Sequence, residues 1–161
     1  MHLSKSTSAL FVADITISKE FYEKVLGMEV EFDFGGNVIY TSRFAIWAIQ
    51  SDHVITQQLG IEAIQNTLAN RFELYFETND LQSVYSELKS QNVRFLHEIH
   101  NESWGQQTIR FFDPDNHLIE VGESMHRFVN RLHDEGLSVV QVSERTNMPQ
   151  VEVERLLNLN N

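Results

Sequence analysis

The sequence predicts an α+β fold made of two βαβββ units, followed by helices at the C-terminal end. The order strand, helix, three strands occurs twice along the chain. An aspartate precedes the predicted helix in each half, Asp14 in the first and Asp80 in the second. Aspartate is a favourable helix N-cap, so aligning Asp14 with Asp80 starts both helices at the same point and indicates an internal repeat.

The first unit is predicted over about residues 7–50. Apolar residues recur at helical spacing in the segment that follows Asp14, and Gly27 is a plausible helix stop. A turn at Gly35 and Gly36 is predicted to join the second and third strands. The four strands of this unit are predicted over residues 8–13, 28–34, 38–41 and 44–49.

The second unit is predicted over about residues 71–123. It contains a helix over 81–90 and a turn at Asp113-Pro114-Asp115-Asn116. Its four strands are predicted over residues 72–77, 93–97, 106–112 and 117–122. Residues 50–70 between the units are expected to form a linker with a short helix.

Composition excludes several classes of function. The formal net charge of −11 argues against a nucleic-acid backbone as the main partner. The absence of cysteine removes disulfides, thiolate nucleophiles and cysteine metal ligands. There is no apolar run of the length that spans a membrane, and the first residues lack the pattern of a signal peptide. We therefore expect a cytoplasmic protein without a membrane or nucleic-acid partner.

Two carboxylates are predicted to point away from the core. Period-2 alternation puts Leu74 on the core face of its strand and Glu73 and Tyr75 on the other face. In the last strand of this unit, Glu120 shares that outward face with Leu118. A soluble fold does not need this arrangement, so function is sought there.

The segments ELYFETNDL (73–81) and FFDPDNHLIEVGE (111–123) resemble the glyoxalase, bleomycin-resistance and extradiol-dioxygenase group, the vicinal oxygen chelate superfamily. The resemblance implies that the two units form an open half-barrel sheet around a concave pocket. It also implies a small-molecule ligand and pairing of two chains into a homodimer. It does not identify a reaction.

Metalloenzymes of this group use His and Glu ligands from four strands, and only part of that set is present. The resemblance places Thr7 where the first ligand is expected, and the strand over 44–49 (FAIWAI) has no donor. Glu73 and Glu120 match the two remaining positions. We therefore commit to no cofactor, although these two carboxylates could hold a divalent metal weakly.

Two other roles for Glu73 and Glu120 stay open. Arg110 is predicted to share their face, and its guanidinium could pair with at least one of them without any metal. Alternatively, one glutamate beside apolar neighbours could act as a general base with a raised pKa.

Five further residues are candidates for ligand binding. His97 and His100 are expected to flank a loop that contains Trp104 and closes on the pocket mouth. Aromatic side chains near the outward face would make the pocket apolar with an acidic floor, which suits an aromatic or cationic-aromatic molecule. The ligand-binding candidates are Tyr75, His97, Trp104, Arg110 and Phe112.

The tail, residues 124–161, is predicted to form helices over 124–135, 138–147 and 149–157. Ser138 is a suitable N-cap and Pro149 suits a first helical turn. The spacing resembles the helix-turn-helix of DNA-binding proteins. However, its four arginines are outnumbered by five acidic residues, so we expect packing rather than phosphate binding.

Three functions remain open at this stage. The first is a binding protein of the bleomycin-resistance type, without a complete metal site. The second is an enzyme (lyase, isomerase or dioxygenase) that uses Glu73 and Glu120 with a metal or as a general base. The third is a regulator that acts through its C-terminal helices.

Overall fold

The computed structural model describes residues 7–62 and 73–158. The described residues fall into two compact units, the first built from the N-terminal part together with Asp113–His117, the second from Glu73–Phe112 and the chain from Leu118 onward. Parts of four predicted features lie outside the described residues: the linker beyond residue 62, the start of the strand at residue 72, and the two chain ends.

The first unit contains a four-stranded mixed sheet. The strand order is β1-β4-β3-β2, so β1 and β2 are the edge strands. β1 pairs with β4 in parallel, and the other neighbouring pairs are antiparallel. The first, second and fourth strands are two or three residues shorter than predicted, the third has the predicted length with its bounds one residue earlier, and all four occur where expected. The strands are β1 (Ser8–Phe11), β2 (Val30–Asp33), β3 (Asn37–Tyr40) and β4 (Phe44–Trp47).

Helix α1 begins at Ile15, directly after its N-cap. The Asp14 carboxylate accepts hydrogen bonds from the backbone N–H groups of Thr16 and Ile17. The helix is α-helical over Ile15–Lys19 and π-helical over Glu20–Val25. Gly27 has a φ of 64°, a left-handed conformation that glycine adopts at low cost, and it ends the helix as predicted. A short helix, α2 (Val54–Leu59), follows in the predicted linker.

The turn Asp113–His117 is held inside the first unit by buried polar contacts. Tyr22 donates its hydroxyl to Asp113 Oδ2 at 2.8 Å, and the side chain of His117 contacts the same oxygen through Nδ1 at 2.8 Å. Burial alone would lower the pKa of His117, but the Asp113 carboxylate raises it above its usual value. His117 is therefore a structural residue of this turn.

The second unit repeats the topology of the first. Its sheet has the order β5-β8-β7-β6, with β5 and β8 parallel and the other pairs antiparallel. Helix α3 (Leu81–Ser90) has the predicted bounds, and the Asp80 carboxylate caps it by accepting from Ser83 N at 2.9 Å. The predicted pair of βαβββ units is thus confirmed. The strands are β5 (Glu73–Thr78), β6 (Phe95–Asn101), β7 (Gln107–Phe112) and β8 (Leu118–Glu123).

One face of the second sheet forms the core of its unit. Helix α3 packs against strands β6, β7 and β8. Its Leu81 and Leu88 are buried. The alternation of the strands places the opposite set of side chains on the other face. The buried apolar residues of the sheet are Leu74, Ile109, Phe111, Ile119 and Val121.

Three short helices follow the second sheet, as predicted for the tail: α4 (Met125–Asp134), α5 (Val139–Thr146) and α6 (Gln150–Leu156). Ser138 caps α5 in a reciprocal capping box with Gln141. The helices share their own core of buried side chains, Phe128, Val129, Leu132, Val142 and Val153. Across residues 7–62 and 73–158, no helix is long and apolar enough to cross a membrane.

Candidate functional site

Four predicted site residues form one row across all four strands of the second sheet. Tyr75 on β5 is the register partner of Glu120 on β8. Glu120 pairs in turn with Arg110 on β7, and Arg110 with His97 on β6. Cross-strand partners carry their side chains on the same face, so the row brings a phenol, a carboxylate, a guanidinium and an imidazole side by side.

Arg110 is the centre of this row. It donates Nε to Glu73 at 3.1 Å and Nη1 to Glu102 at 2.6 Å, and its Nη2 contacts Glu120. His97 Nε2 lies 3.3 Å from Nη1. The predicted pairing of Arg110 with a carboxylate therefore occurs. It includes both predicted glutamates, Glu73 and Glu120, and a third, Glu102, from the β6–β7 turn.

The cluster around Arg110 is negatively charged. Three carboxylates face one guanidinium, which leaves a net charge of −2 when all four groups are ionised. Glu120 and Glu102 are largely shielded from solvent, with side chains 6% and 14% exposed, whereas Glu73 is 38% exposed. The sheet thus presents an acidic surface that is accessible at Glu73.

Two carboxyls on the same arginine have pKa values displaced in opposite directions. Burial raises the pKa of Glu120 above its usual value, and the charges of Glu73 and Glu102 add to the rise, so that Arg110 does not offset it. Burial alone would raise the pKa of Glu102 as well, but the hydrogen bonds from Arg110 and Thr108 outweigh this effect and lower that pKa. Of these two carboxyls, Glu120 is therefore the one that more readily keeps a proton.

The residues present do not fit the divalent metal that the resemblance associates with this fold. A guanidinium already occupies the centre of the three carboxylates, and a metal there would have to share its ligands with a fixed positive charge. Thr7 is exposed and strand β4 offers only apolar side chains. Within the described residues, no group of three or more His, Asp or Glu side chains is arranged to hold a metal ion. We derive no chemical step through a metal.

Tyr75 belongs to a chain of hydrogen bonds that runs toward the β6–β7 turn. Its hydroxyl accepts from Gln106 Nε2 at 3.1 Å and donates to Glu77 at 3.2 Å. Gln106 accepts in turn from Trp104 Nε1 at 3.1 Å. Gly122 permits this arrangement, because a Cβ there would lie 3.2 Å from the tyrosine ring. Tyr75 and Trp104 keep 44% and 43% of their surface exposed, which leaves aromatic area for a ligand.

The prediction that His97 and His100 flank a loop is wrong. Both lie in strand β6, which extends to Asn101 instead of ending at residue 97. The strand is at the edge of the sheet and carries polar side chains, so it lacks the apolar run that marks a central strand. Along the strand the half-buried residues Phe95, His97 and Ile99 alternate with exposed ones, and this period-2 pattern would have indicated the full strand.

Trp104 and Phe112 lie where the sequence predicted. Trp104 is in the turn before β7, and Phe112 is half-buried on the face of Arg110 at the end of that strand. The Arg94 guanidinium lies 4.1 Å from the centre of the Phe112 ring. In the first unit, the rings of Phe11 and Trp47 contact each other at 6.1 Å between ring centres.

Sequence reasoning missed two residues of the site. They are Glu102, which accepts from Arg110, and Gln106, which donates to Tyr75. A register shift between His97 and His100 sets the path of the chain into the turn, and alternation along one strand does not predict such a shift.

The repeated βαβββ units and their strand order define the class of protein. They form the fold shared by glyoxalases, bleomycin-resistance proteins and extradiol dioxygenases. The sequence model of the family described as a glyoxalase-like domain matches residues 6–126, which is more than half of the chain. The protein belongs to this glyoxalase-like family, in agreement with the resemblance of its two motifs.

Solved structures with the same fold include proteins of different activities. A protein of unknown function from Agrobacterium tumefaciens str. C58 is 33% identical, with a TM-score of 0.66 over 78% of this chain and 97% of that chain. A bleomycin-binding protein in complex with bleomycin is 21% identical, with a TM-score of 0.55 over 76% and 99%. A lactoylglutathione lyase from Agrobacterium tumefaciens is 17% identical, with a TM-score of 0.54 over 75% and 93%. The last two likenesses concern the fold alone. No match is found among curated proteins.

Proposed function

We propose that this protein binds a small organic cation with an aromatic or apolar part, and that it does so without transforming it. The observation that carries the proposal is the net charge of −2 on the Arg110 cluster, next to the exposed rings of Tyr75 and Trp104. Aromatic faces and carboxylates together are the groups that recognise such a cation.

The internal ion pairs support a binding role over metal catalysis. In a metal-dependent member of the superfamily, the carboxylates on this face would be committed to the metal. Here Arg110 pairs with these carboxylates instead, and its single positive charge neutralises only part of their negative charge. Glu73, the most exposed of the three, is the carboxylate that we expect to meet the positive charge of the ligand.

A matched set of probes tests the proposal: benzyltrimethylammonium, benzyl alcohol and phenylacetate, which share a phenyl ring and differ in charge. Ligand-observed NMR is expected to show that the cation binds about tenfold more tightly than the neutral probe, since one unit charge near a partly screened site is worth at least about 1.4 kcal/mol. Phenylacetate is expected to bind most weakly.

Glu73→Gln is expected to remove most of this preference for the cation, because it removes one negative charge at an exposed position. Glu87→Gln on α3 is the matched control, since Glu87 is an exposed carboxylate outside the cluster. Equal affinity for the three probes, or a cation affinity that Glu73→Gln leaves unchanged, would contradict the proposal.

A second candidate function is general acid–base catalysis by Glu120. The raised pKa of this buried carboxyl is the observation that favours it, because a carboxyl with a raised pKa is a stronger base once ionised. This role predicts that a bound molecule is recovered altered after incubation and that Glu120→Gln prevents the change. Binding alone predicts recovery of the molecule unchanged from both proteins.

We also propose that the protein is a homodimer in the cytoplasm. The absence of cysteine supports a reducing compartment. Exposed apolar residues on and beside the edge strand β2 support association, Val30, Phe32 and Phe34 being 39%, 49% and 68% exposed. Light scattering is expected to give twice the chain mass of 18.7 kDa. A single-chain mass at tens of micromolar would count against the dimer.

A further inference from the structure

The β6–β7 turn brings Glu102 onto Arg110. The backbone N–H of Glu102 donates to the carbonyl of Gln106 at 2.9 Å, and the N–H of Gly105 donates to the carbonyl of Glu102 at 2.8 Å. Gly105 has a φ of 101°, in the region that favours glycine. At the other end of the same residue, the Glu102 carboxylate accepts from Thr108 at 2.9 Å and from Arg110 at 2.6 Å.

Two arginines of the tail hold the outer side of this turn. Arg131 on α4 donates Nη2 to the carbonyl of Gly105 at 2.7 Å. Arg145 on α5 donates Nε to the carbonyl of Trp104 at 3.3 Å, and its side chain lies against Gly105. Two consecutive carbonyls of the turn are therefore fixed by side chains from two different helices. We call this pair, Arg131 and Arg145, the arginine clamp.

The clamp is itself anchored. Arg131 also forms two hydrogen bonds with Glu123 at the end of β8, both at 2.8 Å, and Glu123 accepts from the backbone of Gln107 at 2.9 Å. Burial alone would raise the pKa of Glu123, and the hydrogen bonds from Arg131 outweigh it and lower that pKa. The helices that carry both arginines share one buried core, so they act on the turn as a rigid support.

We propose that the C-terminal helices position Glu102 on Arg110 through the arginine clamp, and so set the charge of the binding face. Arg131 and Arg145 are positioning residues, because they act on Glu102 through the backbone of the turn that they contact. This inference rests on the proposed function only for its consequence, the binding of a cation; the positioning of Glu102 stands on the contacts themselves.

The consequence follows from charge. If the turn moves away, Glu102 leaves Arg110 and the net charge of the cluster changes from −2 toward −1. Affinity for an organic cation should then fall, as it would in Glu102→Gln. The tail would thus adjust ligand affinity without contacting the ligand.

The first experiment needs no ligand. The clamp variant combines Arg131→Lys with Arg145→Ala. It keeps a positive charge near Glu123, but it removes the guanidinium that bridges Glu123 and Gly105 and the hydrogen bond from Arg145 to Trp104. NMR titration of the Glu102 carboxyl is expected to show a pKa below its usual value in the natural protein and a higher pKa in the variant. The matched control is Arg155→Ala on α6, which removes a tail arginine whose described partner is Glu152. An unchanged Glu102 pKa in the clamp variant, or an equal rise in the control, would overturn the inference.

The second experiment measures binding of benzyltrimethylammonium in a double-mutant cycle. Glu102→Gln is expected to lower the affinity about fivefold in the natural protein and less than about twofold in the clamp variant, since the carboxylate has already left Arg110 there. Equal losses in both backgrounds would overturn the inference and leave the proposed function standing. If no protein binds the cation but the Glu102 pKa has risen, the proposed function fails and the positioning of Glu102 is retained.

Discussion

At the scale of single residues, Arg110 determines what the candidate site can do. Its guanidinium holds Glu73, Glu102 and Glu120 on one face of a sheet, where repulsion between their charges would otherwise separate them. The sequence indicated Glu73, Glu120 and Arg110 because strand alternation decides which face a side chain takes. It could not indicate Glu102, whose approach depends on the path of a turn.

The opposite pKa displacements of Glu120 and Glu102 predict opposite pH dependences of stability. The folded-state pKa of Glu120 is raised, so its contribution to stability is present below the usual carboxyl pKa and is lost as pH rises through the raised value. The folded-state pKa of Glu102 is lowered, so its contribution is present above the usual pKa and is lost as pH falls through the lowered value.

Melting temperatures between about pH 2 and about pH 8 test this prediction, since the Glu102 contribution changes below the usual carboxyl pKa and the Glu120 contribution above it. Relative to the natural protein, Glu120→Gln is expected to become more stable as pH rises, and Glu102→Gln less stable. Each variant serves as the control for the other, because both carboxyls contact the same arginine. If both variants gain, or both lose, stability relative to the natural protein as pH rises, the pKa values of Glu120 and Glu102 are not displaced in opposite directions.

At the scale of secondary-structure elements, prediction succeeded where local signals were strong. Helix α3 has the predicted bounds because Asp80 caps it and its apolar spacing is regular. Strand β6 was cut short because polar residues at its later positions, among them Glu98 and His100, leave it without a continuous apolar run. The three tail helices were recognised from Ser138, Pro149 and their spacing, but their contact with the β6–β7 turn could not be derived from those signals.

Most arginines of the tail form ion pairs or hydrogen bonds with other residues of the same chain. Arg131 pairs with Glu123 and Glu135, Arg155 pairs with Glu152, and Arg145 donates to the carbonyl of Trp104. Phosphate binding would have to break these contacts or rely on what remains, while the acidic residues repel the backbone. We therefore expect no binding of duplex DNA despite the helix-turn-helix spacing.

A gel shift at low salt measures this directly. We expect no sub-micromolar complex with duplex DNA. Removing the chain after Glu123 is expected instead to lower the melting temperature, because it removes the hydrogen bonds that Arg131 donates to Glu123 and to the carbonyl of Gly105. A tight complex that this truncation abolishes would contradict the packing role.

At the scale of the whole molecule, a repeated βαβββ unit has kept its topology in both halves while the halves differ in chemistry. The first sheet presents apolar strands, with Phe44, Ala45 and Ile46 buried on β4. The second presents the row of Tyr75, Glu120, Arg110 and His97. Topology follows from patterns that a sequence displays, whereas the chemistry of a face depends on cross-strand register and on the turns between strands.

Titration with benzyltrimethylammonium in metal-free buffer, with excess EDTA, tests the central claim that Arg110 and its carboxylates form a metal-independent cation site. We expect saturable binding that EDTA leaves unchanged and that Glu73→Gln weakens about tenfold. Binding that appears only when a divalent metal is restored, with about one equivalent of metal retained after dialysis and lost in Glu73→Ala, would contradict the claim.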